Sequence, residues 1–404
     1  MGYTMKNNNT LKTSVCILGS GPAGITLGNI LLQHGIDCIV ADRYDRKEIY
    51  ARARAGVLES TTVSQLDKHG LAETIYRNGY THDSCEFRYP NHSVVFQYGK
   101  LADGDVHYIY PQSDLNDDLI QKYLDNRGKL LLRHEGKDIE QREGGVTVTL
   151  ADRDNNTDVV IEADLVAGCD GYHGLSRNTI PEDAVDIYEK QHPYGWLAIL
   201  AYAPPSAHHV IYSLHPEGFG AHMPRNQKIS RYYLQVPLHE DLAEWTDERI
   251  WATLRKRLHK DGWILNEGEI FDKRVLSMRS YVLEPLRHKR LLMAGDAAHI
   301  ITPCGGKGLN LAVQDAVVVG ETIIEYYRES RDLSFLDRYS DIRLPFIWRA
   351  QEFSRSMLHM LHRSADSDPE NVRFLNKLSE SKLSQLSSSR TFARDFARNY
   401  VGIL

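Results

Sequence analysis

The sequence predicts an α/β fold: a doubly wound, Rossmann-like nucleotide-binding layer, an antiparallel sheet inserted into it, and a helical tail. Three observations carry this expectation. The chain opens on strand, glycine turn, helix and strand within roughly 30 residues, the length of one βαβ unit. A strand-rich middle then interrupts the pattern. Buried-strand and glycine-turn pieces return beyond residue 284, so the sheet is inserted and not appended.

The first strand is the apolar run Ser14-Val-Cys-Ile-Leu18, which reads as buried and parallel. Ile25 to His34 has helical apolar spacing, with Gly35 placed as its C-cap. Ile36 to Ala41 reads as the second strand and ends at Asp42. From about His192 to Leu238, runs such as His209 to Leu214 and Arg231 to Val236 alternate apolar and polar residues, which predicts a half-exposed antiparallel sheet. Thr246 to Leu258 reads as a helix with acids in its first turn. Arg290 to Ala294 is a further buried strand, Leu309 to Tyr327 a long helix, and the chain from about Phe346 a helical tail.

Composition bounds the function. With 404 residues, 42% of them hydrophobic and 25% charged, the chain exceeds one compact domain. Aromatics at 9% and 29 glycines exclude a disordered or fibrous chain. A net charge of −6 argues against nucleic acid as a partner. Cys16, Cys38, Cys85, Cys169 and Cys304 are scattered with no CxxC pair, so no disulfide framework and no metal site is expected. Residues 1 to 13 are polar and lack the apolar run of a signal peptide, and Lys6 stands where myristoylation needs Ser or Thr. The apolar runs fall short of the ~20 residues of a membrane span. A cytoplasmic protein with no membrane partner is the expectation.

The chemistry begins at Gly19-Ser-Gly21-Pro-Ala-Gly24, between strand and helix. Gly19 permits the tight turn, Gly21 lets backbone approach a pyrophosphate, and Gly24 lets helix and strand pack closely. The helix N-terminus offers N–H groups and a positive dipole to phosphates. Asp42 is placed to bind a ribose hydroxyl. A glycine turn used only for packing has the same look. Two further motifs bear on the cofactor. Asp164 to Gly171 is an apolar strand ending in Asp-Gly, continued by Tyr172-His-Gly-Leu-Ser-Arg177. Leu292-Met-Ala-Gly295-Asp296-Ala-Ala-His299 is followed by Pro303, Gly305, Gly306, Gly308, Leu309 and Asn310. Each alone could be an ordinary strand-to-turn junction.

In this order and spacing, the three motifs resemble the FAD-binding set of the single-component flavoprotein aromatic hydroxylases, and within them the 4-hydroxybenzoate 3-hydroxylase family. Arg52-Ala-Arg54-Ala-Gly-Val-Leu-Glu59, Gly168 to Arg177, Ser230 to Leu238 and Asn399-Tyr-Val-Gly402 carry the likeness across nearly the whole chain. The resemblance implies an FAD-binding domain from 13–80, 101–181 and 284–345, a substrate domain from 81–100 and 182–283, and a helical segment over 346–404. It implies an NADH- or NADPH- and O₂-dependent monooxygenase, a homodimer, that hydroxylates 4-hydroxybenzoate or a ring-substituted relative ortho to the phenol through a flavin C4a-hydroperoxide.

The resemblance also assigns roles. Arg225, with Tyr233 beside it, matches the carboxylate-binding arginine, whose fork can pair with a planar carboxylate. Tyr212 and Tyr400 match a tyrosine pair that takes the phenol's proton, and His82 the group that passes it to solvent. A free phenol titrates near 10, so it is mostly neutral at pH 7, and the phenolate is the better nucleophile. Pro303 matches a carbonyl that meets the substrate hydroxyl. Arg54, Gln112, Lys307, Asn310, Leu309 and Gly306 match positions around the flavin, and Arg231 a residue that helps its ring move. Arg52, His173 and Arg177 match positions that meet the nicotinamide cofactor.

The sequence departs from the family in the pocket. Met223 stands where a serine is usual, so one polar contact to the carboxylate is lost. Val210 and Ala221 replace larger leucines, and Gly306 replaces an alanine, which predicts a wider pocket and a bulkier substrate. In the segment after Asp42, Asp45 and Glu48 would repel a 2′-phosphate and Arg43, Arg46 and Lys47 attract one, a balance that leans to NADH or dual use. Competing readings are a halogenase, whose Trp-x-Trp-x-Ile signature is missing from the sequence, a flavin dehydrogenase that never uses O₂, and a non-catalytic flavin protein.

Overall fold

The computed structural model describes residues 9–52 and 56–402. Arg54 lies outside the described residues. Two eight-stranded sheets and a three-stranded sheet organise the chain. The first sheet is built on Asn9–Leu18, which runs parallel to Thr157–Gly168 on one side and Cys38–Ala41 on the other. Leu291–Met293 and Lys129–Leu131 extend it, again in parallel. Val15, Cys16 and Ile17 are fully buried, as a strand covered on both faces requires. Helices Pro22–Gln33 and Lys307–Arg328 pack together against this sheet. Gly35, with φ +71°, is the residue after the His34 C-cap, one position beyond its expected place.

The second sheet runs His299–Ile300, Glu269–Glu284, Asp186–Tyr202, Ser230–Pro237, Gly220–Pro224, Val210–Ser213, Cys85–Tyr89, His92–Phe96. Every pairing in it is antiparallel except that of Val210–Ser213 with Cys85–Tyr89. The expected half-exposure is corrected: the central strands are buried on both faces. Leu197, Ile199, Tyr232 and Leu234 pack with Trp245, Trp251 and Leu254 around helix Asp247–Arg257. Trp196, Ala198, Tyr212, Ala221 and Tyr233 face the other way, into a core shared with the C-terminal helices. The alternation was real, but it sorts residues between two cores. Tyrosine buries its ring and keeps one polar atom, so it fits a buried face as well as an exposed one.

A small sheet of Val57–Glu59, His107–Ile109 and Tyr80–His82 lies at the junction. The tail is helical, as Arg338–Leu361, Pro369–Ser388 and Arg390–Val401. Its first helix begins ahead of Phe346 and runs through Pro345. The last strand of the inserted sheet ends among nucleotide-layer core residues, with Tyr281, Val282 and Leu283 buried there.

Candidate active site

The glycine turn is shaped for close approach. A Cβ on Gly24 would stand 1.9 Å from the Gly19 carbonyl oxygen, whereas one on Gly21 would meet nothing within 4 Å. The turn is therefore tight where strand and helix meet and open where a phosphate would lie. Asp42 Oδ2 accepts from the Ser20 amide at 2.7 Å and its hydroxyl at 2.8 Å, and Oδ1 accepts from the Tyr44 amide at 2.9 Å. Oδ2 is fully used by these two donors, and Oδ1 keeps one lone pair for a ribose hydroxyl. Asn116, on the helix that Gln112 begins, donates to the Ser20 carbonyl at 2.9 Å and brings that helix to the same turn.

The second motif's Asp170 turns back into its own loop and accepts from the Ser176 amide at 2.9 Å. Burial raises its pKa. The third motif is held from beneath. Asp315 Oδ2 accepts from the Gly295 amide at 3.0 Å and lies 2.6 Å from His299 Nε2; its Oδ1 accepts from Arg343 Nε at 2.8 Å. This fixes the turn that presents Asp296, which is half-buried.

At the start of the long helix, Gly305 and Gly306 adopt left-handed φ of +81° and +67°. The Pro303 carbonyl accepts from the Gly306 amide at 3.1 Å and keeps one lone pair. Asn310 is spent on backbone, donating to Val57 and Gly306 carbonyls at 3.0 Å and accepting from the Glu59 amide at 2.8 Å. Leu309 is half-buried against the nucleotide core. Lys307 is buried and donates to Glu59 Oε1 at 2.6 Å and to the Tyr400 carbonyl at 2.8 Å. Burial lowers its pKa, which Glu59 partly offsets. Its positive potential is thus screened by the Glu59 carboxylate.

The inserted sheet supplies a row of side chains on one face. Phe87, Tyr212, Ala221, Tyr233 and Ala198 are successive cross-strand partners. Tyr212 and Tyr233 therefore stand two strand spacings apart, about 10 Å, with only the Ala221 methyl between them. Tyr212 and Tyr400 hydroxyls are 2.9 Å apart. Burial holds both well above the usual phenol range. Phe87 stacks on Tyr212 at 5.5 Å and Trp196 lies 4.5 Å from Tyr233. Met223 pairs across the sheet with Arg231, which donates to the Tyr233 hydroxyl at 3.5 Å, and Val210 lies at the rim opposite Cys85. Arg225, more weakly basic than usual because of burial and then Arg231, opens on a cavity of about 520 Å³ with Tyr50, Tyr80, Tyr110 and Asp114.

His82 stands apart. Among the described contacts no hydrogen bond joins its ring to Tyr400, and its buried Nδ1 has no partner. Burial and then His209 lower it to about 4. Arg177 and Arg279 each lie over the Tyr172 ring, 4.0 and 4.4 Å from its centre, beside the exposed His173. Arg52 lies over Tyr44 at 4.0 Å. Glu59, His107 and Arg279 are site neighbours that the sequence reading missed. His107 and Arg279 are lone residues on strands with no motif around them, and Glu59 ends the stretch Arg52 to Glu59 without a role assigned to it.

Residues 12–354 match the family model described as an FAD binding domain. The chain is 35% identical over 395 residues to p-hydroxybenzoate hydroxylase of Acinetobacter baylyi, covering 98% of this chain and 96% of that one. It is 25% identical over 371 residues to a 3-(3-hydroxy-phenyl)propionate/3-hydroxycinnamic acid hydroxylase of Comamonas testosteroni, covering 87% and 58%. Among solved structures, p-nitrophenol 4-monooxygenase of Pseudomonas putida superposes with a TM-score of 0.81 at 18% identity, over 98% of this chain and 100% of that one. A Diels-Alderase of pyrroindomycin biosynthesis reaches 0.77 at 21% identity, over 98% and 81%. Those two show the fold alone. The glycine cradle and its open Gly21 side fit FAD. On the family model and the near full-length relative, the chain belongs to the FAD-dependent aromatic hydroxylases of the p-hydroxybenzoate hydroxylase family.

Proposed function

We propose that this monooxygenase hydroxylates 4-hydroxybenzoate, or a ring-substituted 4-hydroxybenzoate, ortho to the phenol. The observation that carries the reading is the row Tyr212–Ala221–Tyr233, with Tyr400 hydrogen-bonded behind Tyr212 at 2.9 Å. A flat ring laid over Ala221 has its phenol at Tyr212 and its carboxylate at Tyr233 and Arg225. The Arg225 fork fixes ring orientation as well as affinity. Val210 and Ala221 leave room beside the ring, and Met223 can adapt to a substituent.

FAD, when bound, supplies the activation of O₂. The protein's part is to orient, to exclude water and to move one proton. The proton leaves the substrate phenol for Tyr212 as Tyr212 passes its own to Tyr400. Both tyrosines strongly disfavour their anions, so they conduct the proton and do not keep it. His82 is the exit to solvent. Gly19, Gly21, Gly24, Asp42, Gln112 and Asp296 hold the dinucleotide, and Gly306, Leu309, Asn310, Arg231 and Lys307 surround its ring, a role that the family resemblance extends to Arg54. NADH or NADPH is the donor, bound by Arg52, His173 and Arg177 with Arg279 added. Asp45 and Glu48 cap each other's helix backbone, and Arg46 is held by Asp117 and Gln121, so the segment's charge is largely internal. That weakens a grip on a 2′-phosphate and favours NADH. The enzyme works in the cytoplasm as a homodimer of two-domain chains. Among the described residues no helix is long and apolar enough to cross a membrane.

NADH and NADPH consumption by the FAD-loaded protein, with and without 4-hydroxybenzoate, tests the reading, with products weighed by mass spectrometry. A substrate-dependent rate and a product heavier by one oxygen support it. Rapid oxidation giving peroxide alone moves the substrate to a bulkier analogue. No stimulation by any 4-hydroxybenzoate overturns it.

A further inference from the structure

Tyr400 poses a mechanical problem. It lies in the last turn of helix Arg390–Val401, where backbone carbonyls have no partner within the helix. Its hydroxyl must nonetheless stay at hydrogen-bond distance from Tyr212, on a strand of another layer. Functional geometry of this kind tolerates only about half an ångström.

The Tyr400 carbonyl is clamped by two side chains from outside the helix. Lys307 Nζ donates to it at 2.8 Å and His107 Nε2 lies 3.0 Å from it. A carbonyl can only accept, so His107 must carry its proton on Nε2. The His107 ring also packs against the Tyr400 ring at 4.9 Å and the Tyr98 ring at 5.1 Å. His107 stands in the small sheet directly across from His82. It is fully buried by its neighbours Lys307 on the long helix, His82 on the facing strand, Tyr98 and Tyr400. Burial first, and then Lys307, lower it to about 3. It is therefore a neutral donor at every working pH, and its role does not switch on and off with titration.

We propose that His107 is a positioning residue for the proton relay: as the neutral Nε2–H tautomer it fixes the end of the terminal helix, and so holds the Tyr400 hydroxyl on Tyr212. This rests on the reading that Tyr212 and Tyr400 remove the substrate's phenolic proton. The clamp works with Lys307, which Glu59 holds in turn, and with Thr61, whose hydroxyl donates to the Gly402 carbonyl at 3.0 Å.

The test is a spectroscopic pH titration of 4-hydroxybenzoate bound to the oxidised holoenzyme, following the phenolate absorbance. His107→Met keeps bulk and removes the donor; His107→Gln keeps a donor of similar reach. The expected result is a midpoint raised by about one unit in His107→Met, a tenfold loss of phenolate below the midpoint, with FAD content and 4-hydroxybenzoate affinity nearly unchanged and the midpoint restored in His107→Gln. An unmoved midpoint in His107→Met overturns the proposal, as does equal damage in both variants. Tyr212→Phe separates the two levels. If that variant also leaves the midpoint alone, the relay reading itself fails; if it raises the midpoint and His107→Met does not, only the role of His107 fails. Should His107→Met not retain FAD, nitrogen NMR of histidine-labelled native enzyme decides. A neutral Nε2–H signal for the buried imidazole from pH 6 to 8 supports the clamp, and a charged or Nδ1–H form overturns it.

Discussion

In the proposed reaction, two tyrosines and an arginine carry the selectivity at the residue scale. In Tyr212→Phe the phenol loses its only direct proton acceptor in the row, while the ring stack with Phe87 and the cradle under the substrate remain. Turnover should fall by about 10²- to 10⁴-fold, the usual worth of positioned acid–base groups, and substrate affinity should change little. Product formation and equilibrium binding measured on one preparation check this, and an equal loss in both would assign Tyr212 to binding instead. Arg225→Lys keeps the charge and loses the planar fork. KM for the acid should rise at least about tenfold with flavin content intact. Tyr400 falls inside Asn399 to Gly402, a stretch that carries the family resemblance, whereas Tyr212 and Arg225 are assigned only by matching the chain as a whole to that family. His107 was not legible: it is one of 18 histidines, and nothing beside it in sequence hints at the terminal helix it meets. Glu59 ends a stretch that carries the resemblance, but nothing in that stretch points to Lys307, which it meets.

The decisive element is the turn that joins the third motif's strand to the long helix. The Gly295 amide and His299 converge on Asp315, just over two turns into that helix, and Arg343 closes the group from helix Arg338–Leu361. Burial alone would raise the Asp315 pKa; His299 and Arg343 outweigh it and bring it to about 2. A carboxyl lowered in the folded state stabilises that state above its ordinary value near 4, and the contribution is lost as pH falls through about 2. Stability of Asp315→Asn should therefore lie well below that of the native enzyme at pH 7, with the difference shrinking between about pH 4 and 2. Chemical denaturation at a series of pH values reads it, and a constant difference would remove Asp315 from the account. The same variant should hold FAD at least about tenfold more weakly, since a misplaced turn costs roughly one charged hydrogen bond. The glycine turns were readable because positive φ and close backbone approach demand glycine. The double-sided burial of the inserted sheet was not, because alternation tells which residues share a face and not what covers it.

Across the whole molecule, cofactor and substrate layers are joined by chain as well as by contact. Strand Glu269–Glu284 begins in the inserted sheet and ends in the nucleotide core, where it pairs with His299–Ile300 just beyond the Gly295 turn. Anything that tightens the turn must therefore pull on the sheet. FAD binds only the folded cradle, so at a thousandfold excess over its Kd it should add about 4 kcal/mol to the enzyme's stability. Two colours of fluorescence can tell whether the gain is shared. Of the five tryptophans, Trp196 lies in the inserted sheet, Trp245, Trp251 and Trp263 pack against it, and Trp348 is on the C-terminal helix. Tryptophan emission thus follows the substrate layer, and flavin emission follows release from the nucleotide layer. On heating the holoenzyme the two should change at one midpoint, and that midpoint should rise with added FAD. Flavin release well below an unmoved tryptophan transition would mean that the layers melt independently. The strand they share would then be a tether, and the relay on one layer would have no means of sensing the cofactor on the other.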